Sequence, residues 1–325
     1  METWYFLHPL SLLTMHILKT LAIGTMALAA ASVQAAPLTA TQIISQFNGV
    51  FTQDFSSTSD VEGRLVANNI SRGATFYKDA SSFASDFSAV NAITVGQYGG
   101  GNVLNGGSVN YITSNAGSFG VTNGGKVTQK TPEFAMSDFS APLSALQTTL
   151  ASQANANGTL SASDPNNFNF KLTGTASATS VFNITTSQLA SAANISFTGT
   201  ANTIVINVRY DGTSTTDKVL NINGNFNDNS NLGGHIIWNF VDTTQINMRG
   251  WHGTILAGTS DISAGSALNG FVYAESYLSS GNGELHDRAF LGTLPAAPVP
   301  EPSTWAMMGV GLAGLALVRR RKTQA

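Results

Sequence analysis

The chain has 325 residues, of which only 10% are charged, 32 are glycine and none is cysteine, whereas an ordinary soluble domain is about 25% charged. The missing cysteine excludes disulfides, thiolate catalysis and cysteine-ligated zinc. With a net charge of −3 and no polybasic cluster in its body, the chain offers no surface for nucleic acid. Taken in order, the first feature is an apolar run from Leu21 to Val33, preceded by Lys19 and closed by Val33-Gln34-Ala35. A charged start, a short apolar core and a small-x-small end make a secretory signal peptide, so residues 1–35 are expected to be cut off after Ala35. Glu2 is the only charge among the first 14 residues, and Met15 would open a better leader.

Next comes a β-rich body. Asp60-Val61-Glu62-Gly63-Arg64-Leu65-Val66-Ala67, followed by Asn68-Asn69-Ile70, reads as one strand-bearing rung. Ile204 to Val208, Val219 to Ile222 and His235 to Phe240 are short apolar runs bounded by turn residues. Further on, Gly253 to Gly258, Asp261 to Ser263, Leu268 to Ala274 and Tyr277-Leu278 repeat the pattern. Short strands about 8–10 residues apart with Gly or Asn corners suggest stacked coils. The regular apolar runs exclude disorder. One stretch differs: Phe139, Leu143, Leu146 and Leu150 recur at spacings of 4, 3 and 4, one face of a helix over Asp138–Ala156. Ser137 or Asp138 caps its start in this reading, and Asn157-Gly158 ends it. Phe83, Phe87 and Val90 suggest a shorter amphipathic segment. The expected fold is mainly β, an irregular β-solenoid with one flanking α-helix, with a β-sandwich as the alternative.

At the C-terminus Val299-Pro300-Glu301-Pro302-Ser303 precedes an uncharged stretch, Thr304 to Val318, and then Arg319-Arg320-Arg321-Lys322. Pro300 and Pro302 hold Glu301 in an extended peptide suited to a groove. The apolar stretch, with Trp305 at its edge, suits a bilayer, and the basic cluster marks the cytoplasmic side. At about 15 residues it is short of the roughly 20 of an ordinary span, so a transient membrane segment is expected rather than a permanent anchor. This tripartite end resembles the PEP-CTERM sorting signal of Gram-negative bacteria, which implies recognition by an exosortase-type membrane protease. With signal peptidase and the general secretion machinery at the other end, both termini are addresses. The body between them, 36–294, keeps ten basic and sixteen acidic residues once Glu2, Lys19, Glu301 and the four terminal basic residues are set aside. One β domain accounts for that length, and 295–325 is the sorting signal.

Within the body, Phe47-Asn48, Asp60 to Ala67, Trp238-Asn239-Phe240, Gly250 to Ala257, Asn269-Gly270 and Gly283-Glu284-Leu285-His286 resemble the choice-of-anchor A domain. The resemblance spans most of Ala36 to Gly292 and implies an adhesin-like, non-catalytic surface domain with no site residues to carry over. The Gly253 to Ala257 block followed by a Gly-turn-strand is also similar to the last coils of ice-binding-type β-solenoids.

Enzymatic alternatives rest on His235, His252 and His286, which have Asp242, Asp261, Glu284 and Asp287 near them in sequence. In an extended strand Glu284 and His286 share a face and Asp287 takes the other, so spacing supports at most two metal ligands or one acid/base pair. Asn223 to Asn231 superficially resembles a calcium loop but has one acid, Asp228, and lacks the closing bidentate Glu. Asn is also an ordinary corner residue, so the segment is read as a turn. Neither catalytic nor metal residues are assigned, and no cofactor is expected. Rows of Ser, Thr and Asn on a flat β face would suit a polysaccharide or surface-protein ligand. Tyr77, Tyr98, Tyr273 and Tyr277 would either stack on sugars or fill the core. The reading is an exported protein, transiently anchored in the inner membrane and then placed at the cell surface or in the extracellular matrix. Its role is adhesion or structure in exopolysaccharide or biofilm, and the alternative is a carbohydrate-active enzyme.

Overall fold

Apolar runs flanked by glycine and asparagine corners become rungs of one long parallel sheet. The computed structural model describes residues 38–294 apart from 73, 78–91, 105–106, 115–119, 132–133, 225, 227, 229–230 and 280. The main strands are β1 (Gly49–Ser56), β2 (Leu65–Arg72), β3 (Ala92–Tyr98), β4 (Ser108–Tyr111), β5 (Lys126–Gln129), β6 (Thr179–Thr185), β7 (Thr203–Arg209), β8 (Ile236–Val241), β9 (Thr254–Ala264) and β10 (Val272–Leu278). They stack in the order β5-β4-β3-β2-β1-β10-β9-β8-β7-β6. Ile237 pairs with Thr254, Ile255 with Val272 and Ala92 with Val109, each 17 residues on. The fold is therefore a β-solenoid, not a sandwich. Its coil is about twice the strand spacing expected from sequence, because each coil turns two or three corners.

Each complete coil has three faces. The first is formed by the opening halves of the long strands. Along β9 the register shifts between Ala257 and Asp261, so the strand expected as two pieces is one strand bent from the first face onto the second. Val219–Asn221 and Gln245–Met248 extend that second face. The third face carries short strands: Trp251–His252, Leu268–Asn269, Leu285–His286, Asp60–Val61, Thr75–Tyr77, Asn102–Leu104 and Gly120–Val121, paired in that order. The run expected over Leu268 to Ala274 breaks at Gly270, whose φ of 142° turns the third face into the first. A Cβ there would lie 2.5 Å from the Gly253 carbonyl oxygen, itself at the same corner one coil away, so neither position accommodates a side chain.

Three helices accompany the coils: α1 (Ala40–Gln46), α2 (Met136–Ala151) and α3 (Thr186–Ser191). Thr39 with Gln42, and Thr185 with Gln188, form capping boxes on α1 and α3. Helix α2 lies over the outside of the first face, where Phe139, Leu143, Leu146 and Leu150 join Val50, Val66, Val205, Ile237 and Leu256 in one buried cluster. The first face is thus apolar on both sides, which is why its strands read as unbroken hydrophobic runs. α2 begins two residues before the expected start. Neither Ser137 nor Asp138 is its N-cap; Ala135 is, and Asp138 reaches back from the first turn to accept from the Ala135 N–H at 2.8 Å. It also ends earlier than Ala156, because Ala156 forms an antiparallel bridge to Val181 that draws the chain into extended form.

The sheet order shows how the chain is threaded. It enters in the middle of the stack at β1, builds toward one end through β5, and crosses back along α2. It then coils from β6 to β10, and β10 docks on β1 in parallel, Gly49 opposite Val272. Residues 83, 87 and 90, expected in an amphipathic segment, lie outside the described residues.

Candidate functional site

Beneath the second face runs an inward row, Leu220, Ile246, Ile262, Tyr277, Phe55, Ile70 and Tyr98, each in register with the next and all buried. Tyr98 and Tyr277 are therefore core residues, the latter donating to the Gly283 carbonyl at 2.9 Å. Tyr273 is buried too, and its hydroxyl meets Ser144 of α2 at 2.9 Å. Three of the four tyrosines offered as sugar platforms are thus withdrawn, and the side chain of Tyr77 lies outside the described residues.

One residue along, the side chains point outward and are nearly all polar. Val219, Gln245, Asp261 and Ser276 form a row on one part of the second face, and Asp54, Asn69, Gln97 and Thr113 form one on the other. Adjacent rungs stand about 4.8 Å apart, so these amides, hydroxyls and carboxylates repeat at a fixed interval on a flat surface. Hydrogen bonds hold some of them in place: Asn247 donates to Asn221 at 2.8 Å, Gln245 to Asn247 at 3.2 Å, and Asn69 to Asp54 at 3.1 Å.

On the third face the outward row holds the histidines. His286 and Glu284 share a face as their spacing predicts, with Nε2 and Oε2 2.8 Å apart, and Glu62 of the next rung stands 3.9 Å from the same nitrogen. The other ring nitrogen, Nδ1, faces Asn269 Oδ1 at 2.9 Å, so both ring positions are occupied by protein oxygens. Asp287 is turned inward and buried. His252 lies two rungs from His286 in the same row; burial holds its ring below the usual histidine range. His235 is elsewhere, with Nδ1 2.7 Å from the Asn202 carbonyl oxygen. Asp242 is exposed at a left-handed corner with φ 61°, and Asp261 belongs to the second face. Apart from His286 with Glu284 and Glu62, the histidines and acids named from sequence therefore do not converge. No set of three or more His, Asp and Glu side chains placed to hold a metal ion occurs among the described residues. In the calcium-like segment, both Asp228 oxygens accept backbone N–H groups, from Leu232 at 2.9 Å and Gly233 at 2.7 Å. That carboxylate fixes a corner, as does Asn231 in the left-handed region.

Two features escaped the sequence reading. The first is a seam at the β10–β1 junction. Buried Asn48 donates to the carbonyls of Gly270 and His286, both at 3.0 Å, and its Oδ1 accepts from the Gly63 N–H at 3.3 Å. Beside it Arg64 is buried, where desolvation works against its charge and Asp287 works for it. The Asp287 amide donates to Glu62 at 3.0 Å. Asn48, Gly63, Gly270 and His286 belong to separate blocks of the sequence, and the seam is where those blocks meet. The second is an asparagine ladder, Asn183, Asn207 and Asn239, in register on the outside of the first face. Asn239 donates to Asn207 at 2.8 Å and Asn207 to Asn183 at 3.1 Å. Asn207 also donates to the Leu150 carbonyl at 2.9 Å and Asn183 to that of Gln153 at 3.0 Å. These carbonyls lie at and just past the end of α2, where the regular helical bonds run out; the Leu150 carbonyl also accepts from the Gln153 N–H at 3.1 Å, and the three rungs add side-chain donors to the cap. Asn at the same place in three apolar runs was the available signal.

Residues 300–302, 305 and 319–321 of the sorting end, and Val33 and Ala35 of the leader, lie outside the described residues. Among the described residues no helix is long and apolar enough to cross a membrane; the segment expected to do so, 304–318, is outside them.

Residues 40–287 match the family model described as "Putative Ice-binding-like adhesive domain", and residues 298–322 match the PEP-CTERM protein-sorting motif. No curated protein matches the chain. Among solved structures, an ice-binding protein from the Antarctic ascomycete Antarctomyces psychrotrophicus is similar at 11% identity and a TM-score of 0.31, covering 78% of this chain and 99% of that one.

Proposed function

We propose that this chain, which belongs to the ice-binding-like adhesive domain family over residues 40–287, acts as a non-catalytic adhesive component of exopolysaccharide or biofilm matrix. It is an exported, surface-associated protein of adhesin type carrying a PEP-CTERM sorting motif. The observation that carries the adhesive reading is the second face: evenly stepped and lined outward by amides and hydroxyls with two carboxylates, Asp54 and Asp261. Such a surface suits a polymer that repeats. In this reading the chain divides into a leader, 1–35, the adhesive solenoid, 36–294, and the sorting end, 295–325. Polysaccharide pull-down paired with a turnover assay on the same glycans tests it. Binding without turnover, unchanged in His286→Ala, is the expected result; turnover that disappears in that variant would establish a carbohydrate-active enzyme instead.

Processing follows from the same reading. The sorting end is taken by an exosortase-type protease after passing through a membrane-anchored state. Replacing Pro300, Glu301 and Pro302 by alanine is expected to leave a longer, membrane-retained form, seen by mass spectrometry of the membrane fraction. Normal release of a mature product of unchanged mass would refute the assignment.

A further inference from the structure

Ahead of the third-face strand Trp251–His252, Phe226 fills the interior, 5.4 Å from Phe197, 5.6 Å from Trp251 and 5.7 Å from the His252 ring. At the corner where the second face turns into the third, the chain passes through Arg249-Gly250 on one coil and Gly265-Ser266-Ala267 on the next. Small residues at both turns keep the corner hollow. The result is an open groove of about 520 Å³ bordered by Phe226, Arg249, His252, Ser266 and Asn269.

Arg249 is exposed and none of its five N–H groups is engaged among the described residues. The Asn269 side-chain amide meets His286 Nδ1 at 2.9 Å. Among the described residues neither the Ser266 hydroxyl nor a ring nitrogen of His252 is engaged. Asp228, which accepts two backbone N–H groups, acts on His252 as a negative charge, and Arg288 acts on it as a weaker positive one. An exposed guanidinium beside hydroxyl, amide and imidazole groups suits a ligand that carries both a negative charge and hydroxyls. A planar guanidinium recognises a carboxylate in a two-point geometry.

We propose that this groove is a subsite for the carboxylate of an acidic sugar within a polysaccharide, with Arg249 pairing the carboxylate and Asn269, Ser266 and His252 meeting neighbouring hydroxyls. The proposal rests on the adhesive reading and narrows it to uronate-containing glycans. The purified mature protein is titrated with polygalacturonate, with neutral dextran and with free galacturonic acid. Wild type is expected to prefer polygalacturonate, Arg249→Gln to weaken that binding about tenfold, the loss of one charge-assisted pair, and Arg249→Lys to recover only part of it. Lys218→Gln, a basic change away from the groove, is expected to leave affinity unchanged, and galacturonic acid to shift the NMR signals of Asn269 and His252. Equal binding by Arg249→Gln, or an equal loss in Lys218→Gln, would overturn the subsite. If dextran is still held in those cases, the adhesive reading stands alone. Absence of binding to every polysaccharide, by folded wild type, removes both.

Discussion

Asn48→Ala is expected to lower the unfolding free energy by about 3 kcal/mol, since the Gly270 carbonyl and the Gly63 N–H lose their Asn48 partner, each at roughly 1–3 kcal/mol, while the His286 carbonyl keeps the Gly270 N–H. Asn48 sits where coil continuity fails. The third-face strand Leu285–His286 belongs to the last coil, but the first-face slot that follows is filled by β1, from the other end of the domain. The Asn48 side chain spans that discontinuity with one amide group, donating to two carbonyls and accepting from one N–H. For a domain of this size, roughly 2–4 °C is lost per kcal/mol, so calorimetry should show a melting point about 6–12 °C lower. Asn221→Ala, on the exposed outer row, is the matched control and should change stability by less than about 0.5 kcal/mol. Equal melting points for the two variants would mean that the seam contributes nothing particular.

Asn207→Ala is the second large effect, also about 3 kcal/mol. Asn207 is fully buried and is the middle step of the ladder, so its loss strands the Asn183 oxygen and one N–H of Asn239 and leaves the Leu150 carbonyl with the Gln153 N–H alone. Asn239 additionally donates to the Gln147 carbonyl at 3.1 Å, so its own replacement removes groups from the same network. The two single changes should therefore be non-additive: the double variant Asn207→Ala/Asn239→Ala should lose clearly less than the sum. Hydrogen exchange should locate the damage at the last turn of α2 and leave α1 protected. Additive losses, or exchange spread evenly through the domain, would argue against a shared cap.

What sequence could show here was set by range. The first-face strands were visible because burial on both sides makes them continuous apolar runs. Helix α2 was visible because Phe139, Leu143, Leu146 and Leu150 keep its period. Its ends were misplaced because they depend on contacts rather than period: Asp138 works from inside the first turn, and Val181 captures Ala156. The coil length was misjudged because β9 bends without a break, so Ala257 and Asp261 looked like parts of separate strands. Tyr98 and Tyr277 were ambiguous until register placed them in line with Ile70, Ile262 and Phe55. The union of β1 with β10, like the Arg249 groove, joins residues far apart in the chain and leaves no local pattern. Short helices α1 and α3 carried a readable signature in Thr39/Gln42 and Thr185/Gln188 that went unused.

The threading of the stack also imposes an order in time. β1 exposes an unpaired parallel edge from the moment it forms, and its partner β10 lies more than two hundred residues later. Such distant pairing makes closure slow, and until it happens the half-built domain is a template for other strands. The segment that finally seals it, Val272 to His286, comes directly ahead of the sorting motif at 298–322. Completion of the fold and arrival of the address are thus nearly one event, and a chain cut short of its address is also a chain with an open edge.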